Sequence, residues 1–181
     1  MAFLNKKISH RSGRQRGVGM IEVLIAITIS AFALLGLAGL QVAALRYQKV
    51  ANFRSLASQY SADIGDRIRA NAAGANAGGY TTDKTYPDNS NAAACAVSGA
   101  CTPAEIAVQD IYNWRLAMSN AMAGGWGTVS GDSTNGFVVT VYFSEPDKTA
   151  TDSGCDSSVF PSGFSANDKA AMRCFLTVVT P

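Results

Sequence analysis

The hydrophobic pattern changes twice along the chain. From Val23 to Leu45 there is no charged residue, and the run is apolar on every side. About 20 residues are needed to cross a bilayer core of about 30 Å, so this stretch is long enough to span one. Beyond it Val50, Phe53, Leu56, Tyr60, Ile64 and Ile68 recur every three or four positions. This spacing predicts an amphipathic continuation of the same helix, with Lys49, Arg54, Ser58, Gln59, Ser61 and Asp66 on its other faces. Gly74 is the expected stop, and Asp63 and Arg67 make an i,i+4 pair.

Residues 74–103, rich in Gly, Ala, Asn and Thr, read as a long loop. Thr102 is the expected N-cap of a second helix that opens with Pro103 and Glu105. Its apolar side is expected to carry Ile106, Ile111, Trp114, Leu116, Met118 and Met122, and Gly124-Gly125 is expected to end it. The period then falls to two. Phe137, Val139, Val141 and Phe143 alternate with Val138, Thr140 and Tyr142, predicting an amphipathic strand that ends before Pro146. Thr128-Val129 is a short partner across a turn containing Asn135-Gly136, residues 147–170 read as polar loop, and a last strand runs from about Met172 to Thr180. A long helix followed by short antiparallel strands predicts an α+β head, with the sheet's apolar face on the Val50–Ile68 stripe.

Charge orients this plan. Of the 15 basic residues, Lys6, Lys7, Arg11, Arg14 and Arg16 lie in the first 17 positions, which hold none of the 13 acids. The net charge of +2 therefore hides a basic leader and an acidic remainder. Under the positive-inside rule the leader stays in the cytoplasm and residues 46–181 are exported. An acidic exported part gives no case for nucleic-acid binding. It holds all four cysteines, Cys95, Cys101, Cys155 and Cys174. In an oxidising compartment they allow three connectivities. Local pairing, Cys95 with Cys101 and Cys155 with Cys174, is favoured because each pair lies within one segment.

Chemistry is sparse. The one histidine, His10, lies in the leader, so the exported part has no Ser-His, Cys-His or His-metal site. Asp147, Asp152 and Asp156 share a loop without the spacing of a calcium-binding EF-hand. No catalytic constellation, metal site or cofactor motif is found, and the chain reads as a non-enzyme.

The junction Arg-Gln-Arg-Gly-Val-Gly-Met-Ile-Glu at positions 14–22 is the most specific feature. A secretory signal has an apolar run of about 7–15 residues before its cleavage site. This run is about twice as long, and Ala31-Phe32-Ala33 sits in its middle. A plain signal anchor explains neither Gly17 nor the costly acid Glu22. The segment resembles the leader of type IV pilins and pseudopilins, where cleavage follows a Gly and Glu is the fifth mature residue. Counting from Val18, Glu22 is fifth; the family's usual first residue is Phe.

That resemblance implies a domain plan of leader peptide 1–17, hydrophobic transmembrane and assembly half 18–45, and periplasmic head 46–181. It implies cleavage between Gly17 and Val18 and N-methylation of Val18 by prepilin peptidase. Glu22 would then neutralise the amine of an adjacent subunit. Gly36 and Gly39 would serve helix packing or local melting. The fold implied is pilin-like: a long helix on a small antiparallel sheet with a second short helix. Leu34–Gln41 and Leu56–Asn71 further resemble minor pilins. These prime type IV pilus assembly with other minor pilins, the major pilin, the inner-membrane assembly platform and a tip adhesin, in adhesion and twitching motility. The protein would be anchored in the inner membrane and then reach the pilus tip. A minor pseudopilin of a type II secretion system shares the same leader, Glu and helix.

Overall fold

The computed structural model describes residues 17, 19–82, 86, 100–145, 155 and 160–180. Helix α1 runs over Met20–Ala70. The chain divides inside it into two units, Met1–Ala44 and Leu45–Pro181. In the second unit α1 is followed by α2 (Ala72–Asn76), α3 (Pro103–Ala121), β1 (Trp126–Asp132), β2 (Gly136–Ser144), α4 (Ala166–Ala171) and β3 (Met172–Val179). The three strands form one antiparallel sheet in the order β1-β2-β3. This is the α+β, pilin-like arrangement of a long apolar N-terminal helix, a small antiparallel sheet and short helices.

Helix α1 ends three residues earlier than Gly74 predicts. The Asn71 side chain accepts from the Gly74 amide (3.1 Å) and donates to the Pro103 carbonyl (2.8 Å), so Asn71 ends α1 and N-caps α2. Gly74 lies inside α2, where a Cβ would come within 2.5 Å of the Pro103 carbonyl oxygen. It is a point of close approach, and not a stop signal.

The seam that α1 presents to the sheet is Phe53, Ala57, Ser61, Ile64, Gly65 and Ile68. Leu56 and Tyr60 are only partly buried against it, and Val50 is half-exposed. Ser61, expected on a solvated face, is buried. The reason is steric: Ala57, Ser61 and Gly65 follow one another at four-residue spacing, and small residues let the sheet approach. A Cβ on Gly65 would lie 3.1 Å from a Val179 methyl. Phe53 meets Phe143 edge-on, with ring centroids 6.1 Å apart. Val129, Phe137, Val139, Val141 and Val179 complete the sheet's contribution to this core.

Helix α3 starts as its sequence predicts, with a full capping box. The Glu105 amide donates to the Thr102 hydroxyl, and the Thr102 amide donates to the Glu105 carboxylate at 2.7 Å. Its buried face differs from the expected one. Ala107, Ile111, Trp114, Arg115 and Met118 are buried, whereas Ile106 and Leu116 are exposed. Trp114 sets the rotation. Its indole N–H donates to the Tyr60 carbonyl at 2.8 Å, and its ring lies where a Cβ on Gly127 would be, 2.1 Å from the ring edge. Arg115 follows Trp114 inward, donates to the Gly127 carbonyl at 2.9 Å and stacks 4.2 Å above the Trp126 ring.

Strand β2 is buried on both faces, and not on one as alternation predicts. Its Phe137, Val139, Val141 and Phe143 meet α1 and α3. On the other face Tyr142, with Trp126 and Met172 from the neighbouring strands, packs under Phe164, Phe160 and Tyr86. Phe160, Phe164 and α4 fall within residues expected to be polar loop. α4 carries its own capping box between Ser165 and Asp168. The β1–β2 turn is held by Asp132, whose carboxylate accepts from the Thr134 and Asn135 amides, both at 2.8 Å. Gly136 follows with a φ of 91°, open to glycine at little cost.

Cys155 is bonded to Cys174 on β3, with Cα atoms 5.2 Å apart. Cys101 is also disulfide-bonded. Cys95 lies outside the described residues, as do Pro146, Asp147, Asp152 and Asp156.

The Cys155–Cys174 bridge closes a separation of 19 residues. Replacing both cysteines by Ser is expected to lower stability by about 3 kcal/mol in the chain-entropy account. The urea midpoint followed by tryptophan fluorescence measures it; an unchanged midpoint refutes it. Three exposed carboxylates are held below their usual range. For Glu105 the Thr102 backbone and then side-chain hydrogen bonds are responsible; for Asp168 it is the Ser165 side chain and then backbone, and for Asp132 the Asn135 side chain first. A lowered folded-state value contributes stability above the unfolded value, lost as pH falls through the folded one. Stability is therefore expected to decline as pH drops below about 4. Glu105→Gln should make that decline shallower, read from urea midpoints over the acid range.

Candidate functional site: the N-terminal junction and apolar helix

Gly17 and Gly19 are exposed, and α1 begins at Met20. The Glu22 amide closes the first turn by donating to the Gly19 carbonyl at 3.0 Å. Glu22 is the acid of that turn, where the amide ends of the helix favour a negative charge. Its side chain is exposed. Val18 lies outside the described residues, as do His10 and the basic residues of the leader.

A Cβ built on Gly17 would meet nothing within 4 Å. Among the described residues, no packing calls for glycine at that position. The same holds for Gly36 and Gly39, which lie in uninterrupted α1 with open space where a Cβ would be.

The apolar window of α1 has a mean hydropathy of 2.5 and none of it is buried within the protein. Met20, Phe32 and Leu35 are among its most exposed side chains, at 90, 76 and 70 %. Soluble proteins rarely expose contiguous apolar patches beyond about 600 Å². Such a surface fits lipid or the apolar faces of other helices. Thr28 fits that setting, because its hydroxyl donates to the Ile25 carbonyl at 2.8 Å and is satisfied within the helix.

One feature was not picked out by reading the sequence. The small residues Ala26, Ser30 and Ala31 leave a shallow apolar recess beside Glu22, flanked by Val23, Ile27 and Leu34. Small residues on a lipid-facing helix let a second helix approach closely. The signal was legible: Ala26 and Ser30 follow Glu22 at successive four-residue steps on one face.

Among the described residues of the head, the strongest perturbation of a titrating group is structural. The buried Tyr80 hydroxyl lies 2.6 Å from the Asp110 carboxylate and 3.1 Å from the Arg67 carbonyl. Burial and Asp110 keep this phenol protonated far beyond the usual tyrosine range. Arg67 also pairs with Asp63 and Asp110, each at 3.1 Å. Desolvation opposes its charge, but hydrogen bonds to the two carboxylates outweigh that and raise its pKa. The cluster clasps the end of α1 to α3 and presents no nucleophile with a base.

The prokaryotic N-terminal methylation motif is matched over residues 12–38. No curated protein and no solved structure matches the chain. The matched stretch holds Gly17, Val18, Glu22, the recess and Gly36. It supports a type IV pilin-like protein, a pilin or pseudopilin: a structural subunit that is processed by prepilin peptidase, anchored in a membrane before assembly and assembled with other pilins.

Proposed function

We propose that this chain is a minor pilin of a type IV pilus, similar to the type IV pilus modification protein PilV. In this reading residues 1–17 are a leader removed by prepilin peptidase, and Val18 becomes the N-methylated first residue. Residues 18–45 hold the subunit in the inner membrane and later in the filament core, and residues 46–181 form the periplasmic head. The subunit joins other minor pilins to prime assembly on the inner-membrane platform and resides at the pilus tip with an adhesin. It thereby serves adhesion and twitching motility. It uses no cofactor, metal or nucleic acid.

The carrying observation is the Gly17–Glu22 junction. Among the described residues nothing packs where a Cβ on Gly17 would be, and Glu22 lies in the first turn of a helix whose apolar window is unburied. An acid there is costly in lipid unless a cation offsets it. A free amine at Val18, four residues away, supplies that cation within the subunit or to a neighbour. Gly36 and Gly39 supply either close helix packing or a point of local melting in the filament.

The alternative, a minor pseudopilin of a type II secretion system, fits the same junction. The two separate on deletion of the gene: loss of twitching and surface pili favours the pilus, loss of protein export the secretion system.

N-terminal sequencing of the processed protein is expected to begin at N-methylated Val18, and any other start overturns the assignment. Glu22→Gln is expected to leave cleavage intact. Incorporation into sheared filaments should fall by more than about tenfold, since stranding one partner of a buried ion pair costs about 3 kcal/mol or more. Wild-type incorporation, measured by immunoblot, would sink the role given to Glu22.

A further inference from the structure

Between Glu22 and Asp63 the chain has no acid, and its only charged residues there are Arg46, Lys49 and Arg54. All three are on α1, in the turns that follow the apolar run ending at Leu45. Exported cations beside a span oppose the orientation set by the leader. They also remain after a leader is removed, when five competing basic residues are gone. Arg46 and Lys49 are exposed, and the Lys49 ammonium lies 5.6 Å from the Phe53 ring centroid. Arg54 lies 3.5 Å from Glu145, but that carboxylate's other oxygen takes Arg173 at 2.7 Å, so one acid is shared by two guanidiniums. Tyr47, 77 % exposed, stands beside Arg46, a residue type enriched at membrane–water interfaces.

We propose that Arg46 and Lys49, with Arg54 at the margin, form a collar that binds the phosphates of anionic phospholipids in the leaflet on the head side. The 23 residues from Val23 to Leu45 rise about 34 Å, enough to cross the hydrocarbon and reach the headgroups. Arg46 and Lys49 are then about 5 Å apart along the axis, within the headgroup zone. Arg54 is about 12 Å beyond Arg46, and reaches the zone only by extending its side chain back along the helix. A guanidinium takes a phosphodiester by two parallel hydrogen bonds, and the ammonium acts as a point charge. Such a collar fixes how far the helix sits out of the bilayer and must be released when a subunit leaves the membrane.

The inference rests on residues 23–45 spanning a bilayer, and not on whether the filament is a pilus or a pseudopilus. The test uses the chain from which prepilin peptidase has removed the basic leader, in phosphatidylcholine vesicles carrying spin-labelled phosphatidylglycerol or phosphatidylcholine. Electron paramagnetic resonance reads the lipid immobilised by the protein. The expected result is a several-fold preference for phosphatidylglycerol, given about fivefold per basic residue at a charged surface, weakening as salt is raised. Arg46→Gln with Lys49→Gln should bring the preference close to one. Arg46→Lys with Lys49→Arg should keep it, which separates charge from misfolding. Equal retention of both lipids by the wild type overturns the collar, as does an undiminished preference in the glutamine variant. If that variant keeps its lipid preference but loses co-assembly with other pilins, the cations face protein and the proposal fails. If no immobilised lipid is seen at all, the span itself is wrong.

Discussion

Helix α1 has to satisfy two different solvents with one continuous backbone. Up to Leu45 its large apolar side chains are exposed among the described residues, which fits an apolar medium from outside. From Phe53 onward the same helix forms one wall of a protein core. The two regimes require different sequences. The first is apolar on every side; the second has a narrow seam of two large aliphatics, one aromatic and three small residues, with polar side chains elsewhere. The sheet and α3 pack on that seam, and a second cluster lies on the sheet's other face.

Within the head, position is set by hydrogen bonds at the ends of large side chains as much as by area. Trp114 reaches across to the Tyr60 carbonyl and rests in space left by Gly127. Fixing that one indole fixes the rotation of α3, which explains why Arg115 is buried and Leu116 is not. At the far end of α1, Tyr80, Asp110, Arg67 and Asn71 form a polar clasp in which each buried group has a partner. A buried polar cluster satisfied in this way holds elements in one register, because any shift strands a donor or an acceptor.

The charge pattern along α1 follows the same division. Glu22 sits in the first turn, the next charges come only after the apolar run, and acids reappear at Asp63 where the helix is enclosed by the head. Placing carboxylate and cations at opposite ends of an uncharged run keeps both within reach of polar surroundings while the middle stays free of ionised groups.

The order and type of the principal elements could be read from the sequence, because they depend on local chemistry. An uncharged apolar run of this length reads as a span whatever follows it. Thr102, Pro103 and Glu105 start a helix through hydrogen bonds made within one turn. Alternation from Phe137 to Phe143 gives a strand, and Asn135-Gly136 gives its turn. The methylation motif over residues 12–38 was legible for a similar reason: it lies in a pattern along the chain, which tertiary contacts do not alter. What only the tertiary structure decided was which surface covers which. Periodicity predicted that one face of β2 is apolar, but the cover for Tyr142 comes from Tyr86, Phe160 and Phe164, far away in sequence. Ser61 and Gly65 are buried because strands must approach α1 closely, and Ile106 is exposed because Trp114 turned the helix. Asn71 ends α1 ahead of Gly74 because the Pro103 carbonyl, 32 residues on, is there to accept its amide. A hydrophobic pattern specifies faces; the partner that buries each face is chosen only when the chain folds back on itself.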